Sequence, residues 1–520
     1  MHERWSSRCA AHISSNDDAR ATRFRAVVFI GVFAFVLITV GAIRARAQTA
    51  SFTPTGDMIA ARSQHTATLL LSGQVLIAGG VQSTSLSGPR VLANTERYDP
   101  FSGRFTPAAN MITTRRMHTS TMLPDGRVLI VGGYGGDTSG WGSALASAEL
   151  YDPSSDRFTA TGNLTTARGG HTALLLPSGK VLIVGGYDVG TYPNVAPAEL
   201  YDPDFGTFAA AGTYVGRGGC DFCAPSTLLA DGTVLFPGQY PAQIYEPRTN
   251  VFRRTGSLID DHSADTLLLN GKVLFAGGES DFGRSATAEL YDTATGAFST
   301  TGRMAWRRGW HTLTLLPTGL VLATGGETDS CGGVGCSFAG TVRNAELYDP
   351  SSGTFRPAGD MTAAREGHTA TLLDDGRVLI AGGVAYGGIG IFFGSLSSAE
   401  LYRPDVLAPP PTLLALARDR HGQGVILHAG TSYVAARDDP AAADDEVDIL
   451  CTGLRPSGVI PPQVTIGGRL AEIVSFGDAP GFAGTNAVRV RVPRGLTGGS
   501  VVVRLTYLTR SSKPVTMAVK

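Results

Sequence analysis

Charge is scarce in this chain: Asp, Glu, Lys and Arg make up 17% of 520 residues and nearly cancel, leaving a formal net charge of -1. Such a balance offers no basic footprint for nucleic acid and no attraction to an anionic membrane surface. Cysteine is rarer still, six residues in all, and after Cys9 none occurs before Cys220. A chain this long buries an ample core without disulfide staples. Apolar runs are short, with the exception of Ala26 to Ile43. No helix start follows any of the Gly-Gly pairs, which excludes a phosphate-cradling loop. What is abundant is glycine, 67 residues, and its positions repeat.

A unit of about fifty residues recurs seven times. Its clearest copies run from Arg62-Ser-Gln-His-Thr-Ala-Thr to Gly79-Gly80 and from Arg365-Glu-Gly-His-Thr-Ala-Thr to Gly382-Gly383. Turn glycines fall at Gly73, Gly126, Gly179, Gly232, Gly271, Gly319 and Gly376, each followed by an apolar stretch. A second signature, Ala-Glu-Leu-Tyr-Asp-Pro or a variant, centres on Tyr98, Tyr151, Tyr201, Tyr245, Tyr291, Tyr348 and Tyr402. A Phe then follows in every unit but the last, from Phe105 to Phe355.

Short β-branched and aliphatic runs between Ser-Gly, Asp-Gly and Asp-Pro-x-x-Gly turns predict four strands per unit. One four-stranded sheet cannot hide both faces; a closed ring of sheets can. On these repeats the chain resembles the kelch-repeat β-propellers, with a galactose-oxidase-like central domain over residues 48–405. The resemblance implies an all-β, seven-bladed ring, and it does not choose between enzyme and binding module. The seventh unit lacks its Phe strand, whereas an orphan copy, Phe52-Thr-Pro-Thr-Gly56, precedes the first. Residues 51 to 56 are therefore expected to supply the outer strand of the last blade.

Residues 1–47 read as a secretory signal: arginines, the apolar run, then small Ala45 and Ala47, with the mature chain beginning near Gln48. The alternative is an uncleaved anchor. Both export the propeller to the periplasm, cell surface or medium, and after cleavage no spanning segment remains. In an oxidising compartment Cys220, Cys223, Cys331 and Cys336 read as loop staples whose pairing the sequence does not define. Cys451 reads as a buried strand thiol.

Residues 406–411 form a proline-rich linker, and residues 412–520 show strands near Val447 to Cys451, Gln463 to Ile466, Ala471 to Ser475, Ala487 to Val492 and Val501 to Leu508. That pattern predicts a small antiparallel sandwich. Pro462-Gln-Val-Thr-Ile-Gly-Gly468 and Asn486-Ala-Val-Arg-Val-Arg-Val-Pro493 resemble the immunoglobulin-like modules of exported bacterial proteins, especially acidobacterial ones. Such modules carry no catalysis as a class.

The copper-radical oxidases also join a seven-bladed kelch ring to an immunoglobulin-like domain. Their resemblance implies two histidines, two tyrosines and a cysteine cross-linked to one tyrosine in an early blade. Here no cysteine of the mature chain precedes Cys220, and His421 and His428 lack a flanking tyrosine. The reading accordingly calls for no metal and no cofactor. A sugar mutarotase resembling the kelch-type sialic acid mutarotases is the second enzyme alternative, needing only a placed acid and base.

His65, His118, His171, His311 and His368 share one position in the repeat, which predicts the same hydrogen bond to an adjacent turn in every blade. The fourth and fifth units are irregular: Ala224 and Pro237-Gly238 replace the usual residues in one, and His262 stands one residue out of register in the other. Both drift and a functional face account for this. The loops after Gly-Gly are long, diverse and expected on one face, where they display Tyr134, Trp141, Tyr187, Tyr192, Phe282 and Tyr386. Arg62, Arg115, Arg168, Arg308 and Arg365 each stand three residues before the repeated histidine. They either ring the mouth and meet a carboxylate-bearing ligand, or bond to neighbouring carbonyls and to the repeated Glu149, Glu199, Glu289, Glu346 and Glu400. The expected function is non-catalytic recognition of a glycan or protein, acidic if the arginines are free. Purely structural or adhesive use is the remaining alternative.

Overall fold

A computed structural model describes residues 50–84, 88–136, 142–187, 196–214, 226–237, 241–280, 283–332, 335–387, 391–416, 422–455 and 459–520. The leader region 1–47, Cys220, Cys223, Trp141, Tyr192, Phe282 and His421 lie outside the described residues, as do the side chains of Cys331 and Cys336. Seven four-stranded antiparallel sheets correspond to the seven sequence units, and two five-stranded sheets follow. The fold is an all-β, seven-bladed propeller with C-terminal sheets that resemble an immunoglobulin-like sandwich. No helix among the described residues is long and apolar enough to cross a membrane.

Each blade's second strand is apolar, save for Thr324 in the sixth, because it is covered on both faces. Val75–Ala78, Val128–Val131 and Val378–Ala381 are buried at every position. The third and fourth strands carry the repeated aromatics as a cross-strand pair, Tyr98 on Phe105 and Tyr151 on Phe158, both with ring centroids 4.8 Å apart. Core clusters straddle neighbouring blades: Leu316 and Leu322 of the sixth pack with Val378, Ile380 and Tyr402 of the seventh. A blade therefore has no private core, and the ring holds only as a ring. Ser51–Pro54 pairs antiparallel with Ala399–Arg403, Phe52 opposite Tyr402, and completes the last blade as the orphan copy predicts.

The sandwich stands on the short-turn side of the disc. Arg455 donates to the Pro317 carbonyl at 2.9 Å, Arg469 pairs with Asp204 at 3.0 Å, and Arg510 donates to the carbonyls of Asp374 and Ala408. Cys451 is a free thiol in the sandwich core, where burial pushes its pKa up to about 12.

Candidate functional site

The link between blades carries the repeated arginine, and its surroundings decide what that arginine does. Two N–H groups of the link, on Ile59 and Ala60, donate to the Glu96 carboxylate; Ile112 and Thr113 do the same to Glu149. Arginine completes the clamp. Arg115 meets Glu149 at 2.8 Å, Arg168 meets Glu199 at 2.6 Å, Arg308 meets Glu346 at 2.8 Å and Arg365 meets Glu400 at 3.0 Å, and Arg62 makes the same pair with Glu96. The other guanidinium arm reaches the first Gly-Gly carbonyl, from Arg62 to Gly79 and from Arg365 to Gly382, both at 2.8 Å.

All five arginines are 0% exposed. Their expected place around the mouth, as ligands for an acidic partner, is thereby corrected. A guanidinium that has surrendered its water to a carboxylate and carbonyls of its own blade has no direction left in which to bind. In the fifth blade the link is shorter, and His262 takes over the arginine's contacts: Nδ1 lies 2.8 Å from the Gly277 carbonyl and Nε2 2.9 Å from Glu289.

The repeated histidines bond across blades rather than to a turn. Nε2 of His118 meets the Thr66 hydroxyl at 3.0 Å, His171 meets Thr119 at 2.9 Å, and His65 meets Thr369 at 3.1 Å. His311 breaks the series because Ala264 stands at the threonine position of the fifth blade; neither of its ring nitrogens has a hydrogen-bond partner. Burial, and then the nearby arginine charge, pushes His118, His171 and His368 down to about 3, and His65 and His311 well below the usual value. They are neutral, structural imidazoles.

Between each arginine and histidine lie two residues that build the mouth. The second has a left-handed backbone in five blades: Gln64 at φ 54°, Met117 at 53°, Gly170 at 64°, Trp310 at 57° and Gly367 at 57°. These residues join head to tail, with N–H groups of Gly170, Met117, Gln64 and Gly367 donating to the carbonyls of Met117, Gln64, Gly367 and Trp310 in turn. At Gln64, Met117 and Trp310 the conformation costs roughly 1–2 kcal/mol each. The first residue pairs with the one after Gly-Gly: Ser63 with Val81, Arg116 with Tyr134, Gly169 with Tyr187, Gly309 with Glu327 and Glu366 with Val384.

A cavity of about 610 Å³ opens within this ring, walled by Gln64, Arg116, Trp310, Glu366, Tyr386 and Phe392 among others. Of the expected aromatics, Tyr386 lines it, with Phe392 at 5.2 Å between ring centroids. Tyr134 does not. Its ring is 2% exposed, lies over Gly169 where an added Cβ would stand 2.3 Å away, and donates its hydroxyl to the Tyr187 carbonyl at 3.0 Å. The half-buried Tyr187 packs edge-on against it, outside the cavity wall. Both are corrected from ligand platforms to supports for Arg116, whose guanidinium sits 5.8 Å from the Tyr134 centroid and donates to Gln64 at 2.9 Å.

Glu366 and Glu327 are the pair that sequence reasoning missed. Glu366 faces the cavity, shares a hydrogen bond with Glu327, and leaves Oε2 buried without a hydrogen-bond partner. Glu327 in turn pairs with Arg284, whose side chain crosses the bare Cα of Gly309. Burial first, and then the neighbouring carboxylate, holds Glu366 well above the usual carboxylate range, so one proton is retained between the two groups at neutral pH. Acid of this kind beside aromatic walls can donate to a hydroxyl-rich ligand. Their signal in the sequence was their departure from the repeat: the position after Gly-Gly is acidic in the fifth and sixth units, Glu279 and Glu327, against Val81 and Val384, and the residue after the repeated arginine is acidic in the seventh, Glu366, against Ser63 and Gly169.

The kelch-motif family description matches residues 115–164. Human Kelch-like protein 34 is 36% identical over 117 residues, 21% of this chain and 17% of that protein. Galactose oxidase of Gibberella zeae is 24% identical over 334 residues, 60% of this chain and 41% of its own length. The chain thus spans less than half of the curated relatives it matches. Among solved structures, a fungal alcohol oxidase of the AA5 family in complex with copper aligns over 91% of this chain and all of its own, at 16% identity and a TM-score of 0.58. The described residues do not fit that metal. Among the described residues no three His, Cys, Asp or Glu side chains are grouped to hold an ion, and the described histidines nearest the mouth are buried between blades. What the likenesses share with this chain is a kelch, galactose-oxidase-like propeller fold.

Proposed function

We propose that the chain is an exported recognition protein that holds a glycan at the long-loop mouth of its propeller. The observation that carries this reading is the cavity of about 610 Å³, which sets Trp310, Tyr386 and Phe392 beside Gln64, Arg116 and Glu366. Aromatic faces stack on the apolar faces of a sugar ring, and a few fixed polar groups read its hydroxyls. Export rests on the apolar run Ala26 to Ile43 and the small residues Ala45 and Ala47. A glycan and polypeptide array probed with the protein, followed by calorimetry on the best sugar, tests the reading. Trp310→Gly copies Gly170 and Gly367, which hold the same left-handed position, so the ring persists while affinity falls by about 1–2 kcal/mol. An array answered by peptides alone, or a sugar bound equally by Trp310→Gly, rejects it.

The Glu327–Glu366 pair favours a second reading, a mutarotase-like enzyme. Opening a cyclic sugar hemiacetal puts one proton on the ring oxygen and removes one from the anomeric hydroxyl. Glu366 would give the first and Glu327 accept the second, returning the pair to its starting proton count. Anomer exchange followed by magnetisation-transfer NMR distinguishes the two. Acceleration abolished by Glu366→Gln marks an enzyme; exchange at the solvent rate leaves recognition.

A further inference from the structure

At the other end of the channel a second cavity, of about 620 Å³, lies between propeller and sandwich. Six blades deliver an apolar side chain to its wall from the same place, the last residue of the innermost strand: Leu69, Met122, Leu175, Leu267, Leu315 and Leu372. All but Leu372 are only half-buried. The sandwich closes this collar with the outward face of one sheet, where Gln463 stands opposite Thr506 and Thr465 opposite Arg504. Arg455, Arg469 and Arg510 reach across the junction and are bonded there. Arg504, which lines the cavity, has no hydrogen bond or ion pair among the described residues.

The wall is mainly apolar, with the hydroxyls of Thr68, Ser120, Thr266, Thr314 and Thr371 beside the collar, and its apolar part takes an aliphatic chain in preference to water. A guanidinium partly withdrawn from water and left unpaired calls for an anion with two oxygens. We infer that the cavity binds a linear aliphatic carboxylate, its chain against the leucine collar and its headgroup on Arg504. The volume is in the range of small-ligand sites, and the site is independent of the sugar-binding mouth.

Titration of the protein with sodium decanoate, sodium butyrate and 1-decanol, read by calorimetry and by melting temperature, tests this. One decanoate is expected per chain, tighter than butyrate and tighter than decanol. Arg504→Gln should weaken decanoate about tenfold or more, leave decanol unchanged, and leave the unliganded melting temperature unchanged because Arg504 has no partner among the described residues to lose. Leu267→Thr, which opens the collar, should reduce the preference for decanoate over butyrate. Decanoate binding no tighter than butyrate, or unchanged in Arg504→Gln, would overturn the inference, as would an undiminished chain-length preference in Leu267→Thr.

Discussion

Lowering the pH should unfold this propeller through its histidines. His65, His118, His171, His311 and His368 are buried and neutral, and burial is the first cause of their depressed pKa values. In the unfolded chain each returns to about 6.5. Protonation therefore favours the unfolded state: stability is full above about pH 6.5 and is lost as the pH falls toward about 3, the folded value of His118, His171 and His368. Each proton is worth about 1.4 kcal/mol per pH unit, so at pH 5 each of His118, His171 and His368 withdraws about 2 kcal/mol and the three about 6, with His65 and His311 acting in the same direction. Glu366 and Asp265 act in the opposite sense, since their raised pKa values let the fold take up protons; between pH 7 and 5 they return about 3 and about 1 kcal/mol. The three histidines alone outweigh that return by about 2 kcal/mol and His65 and His311 add to the loss, a sizeable part of the stability of an ordinary domain. Urea unfolding at half-unit pH steps, compared between the parent and His118→Gln, isolates the effect. Between pH 6 and 4 the variant should lose stability less steeply, by about one proton's slope, whatever its stability at neutral pH. Equal slopes would refute the assignment of His118 as a buried neutral group.

Four further outcomes follow from the same geometry. Arg365→Met leaves Glu400 buried and unpaired and should cost about 3–5 kcal/mol in urea unfolding while sugar affinity at the mouth is unchanged; loss of affinity at constant stability would restore the arginine to a ligand role. Met117→Gly relieves a left-handed backbone, offset in part by glycine's greater unfolded freedom, and should gain about 0.5 kcal/mol rather than lose it. Deleting residues 50–54 strips the outer strand from the last blade and bares Tyr402, so the melting temperature should fall by more than about 10 °C; an unchanged transition would contradict ring closure by that strand. Glu366→Gln keeps a neutral hydrogen-bonding group at the cavity, so under the proposed glycan role it should preserve sugar binding near neutral pH and remove the weakening expected of the parent protein as the pH rises and Glu366 ionises.

The repeat alone carried the ring. Alternating short apolar runs, Asp-Pro-x-x-Gly turns and the orphan Phe52 strand are local patterns, and a strand's period and a turn's backbone needs are written in neighbouring residues. The aromatic pairing of Tyr98 with Phe105 and the pairing of Phe52 opposite Tyr402 follow from the same register. The site was another matter. Arg62 and Arg365 look identical in sequence whether they point into the mouth or into their own blade, and only the packing of the link against Glu96 and Glu400 takes them out of water. Tyr134 sits in a long loop, yet the bare Cα of Gly169 draws its ring beneath the surface. In the fifth blade a shortened link carries His262 to the arginine's acceptors, a substitution that residue counting places out of register. Glu327 and Glu366 belong to successive units and meet because the bridged segments ahead of two adjacent innermost strands, Gly309 with Glu327 and Glu366 with Val384, are neighbours at the mouth. Desolvation and the direction of a side chain at a link are properties of how blades close on one another, and those are decided by tertiary structure.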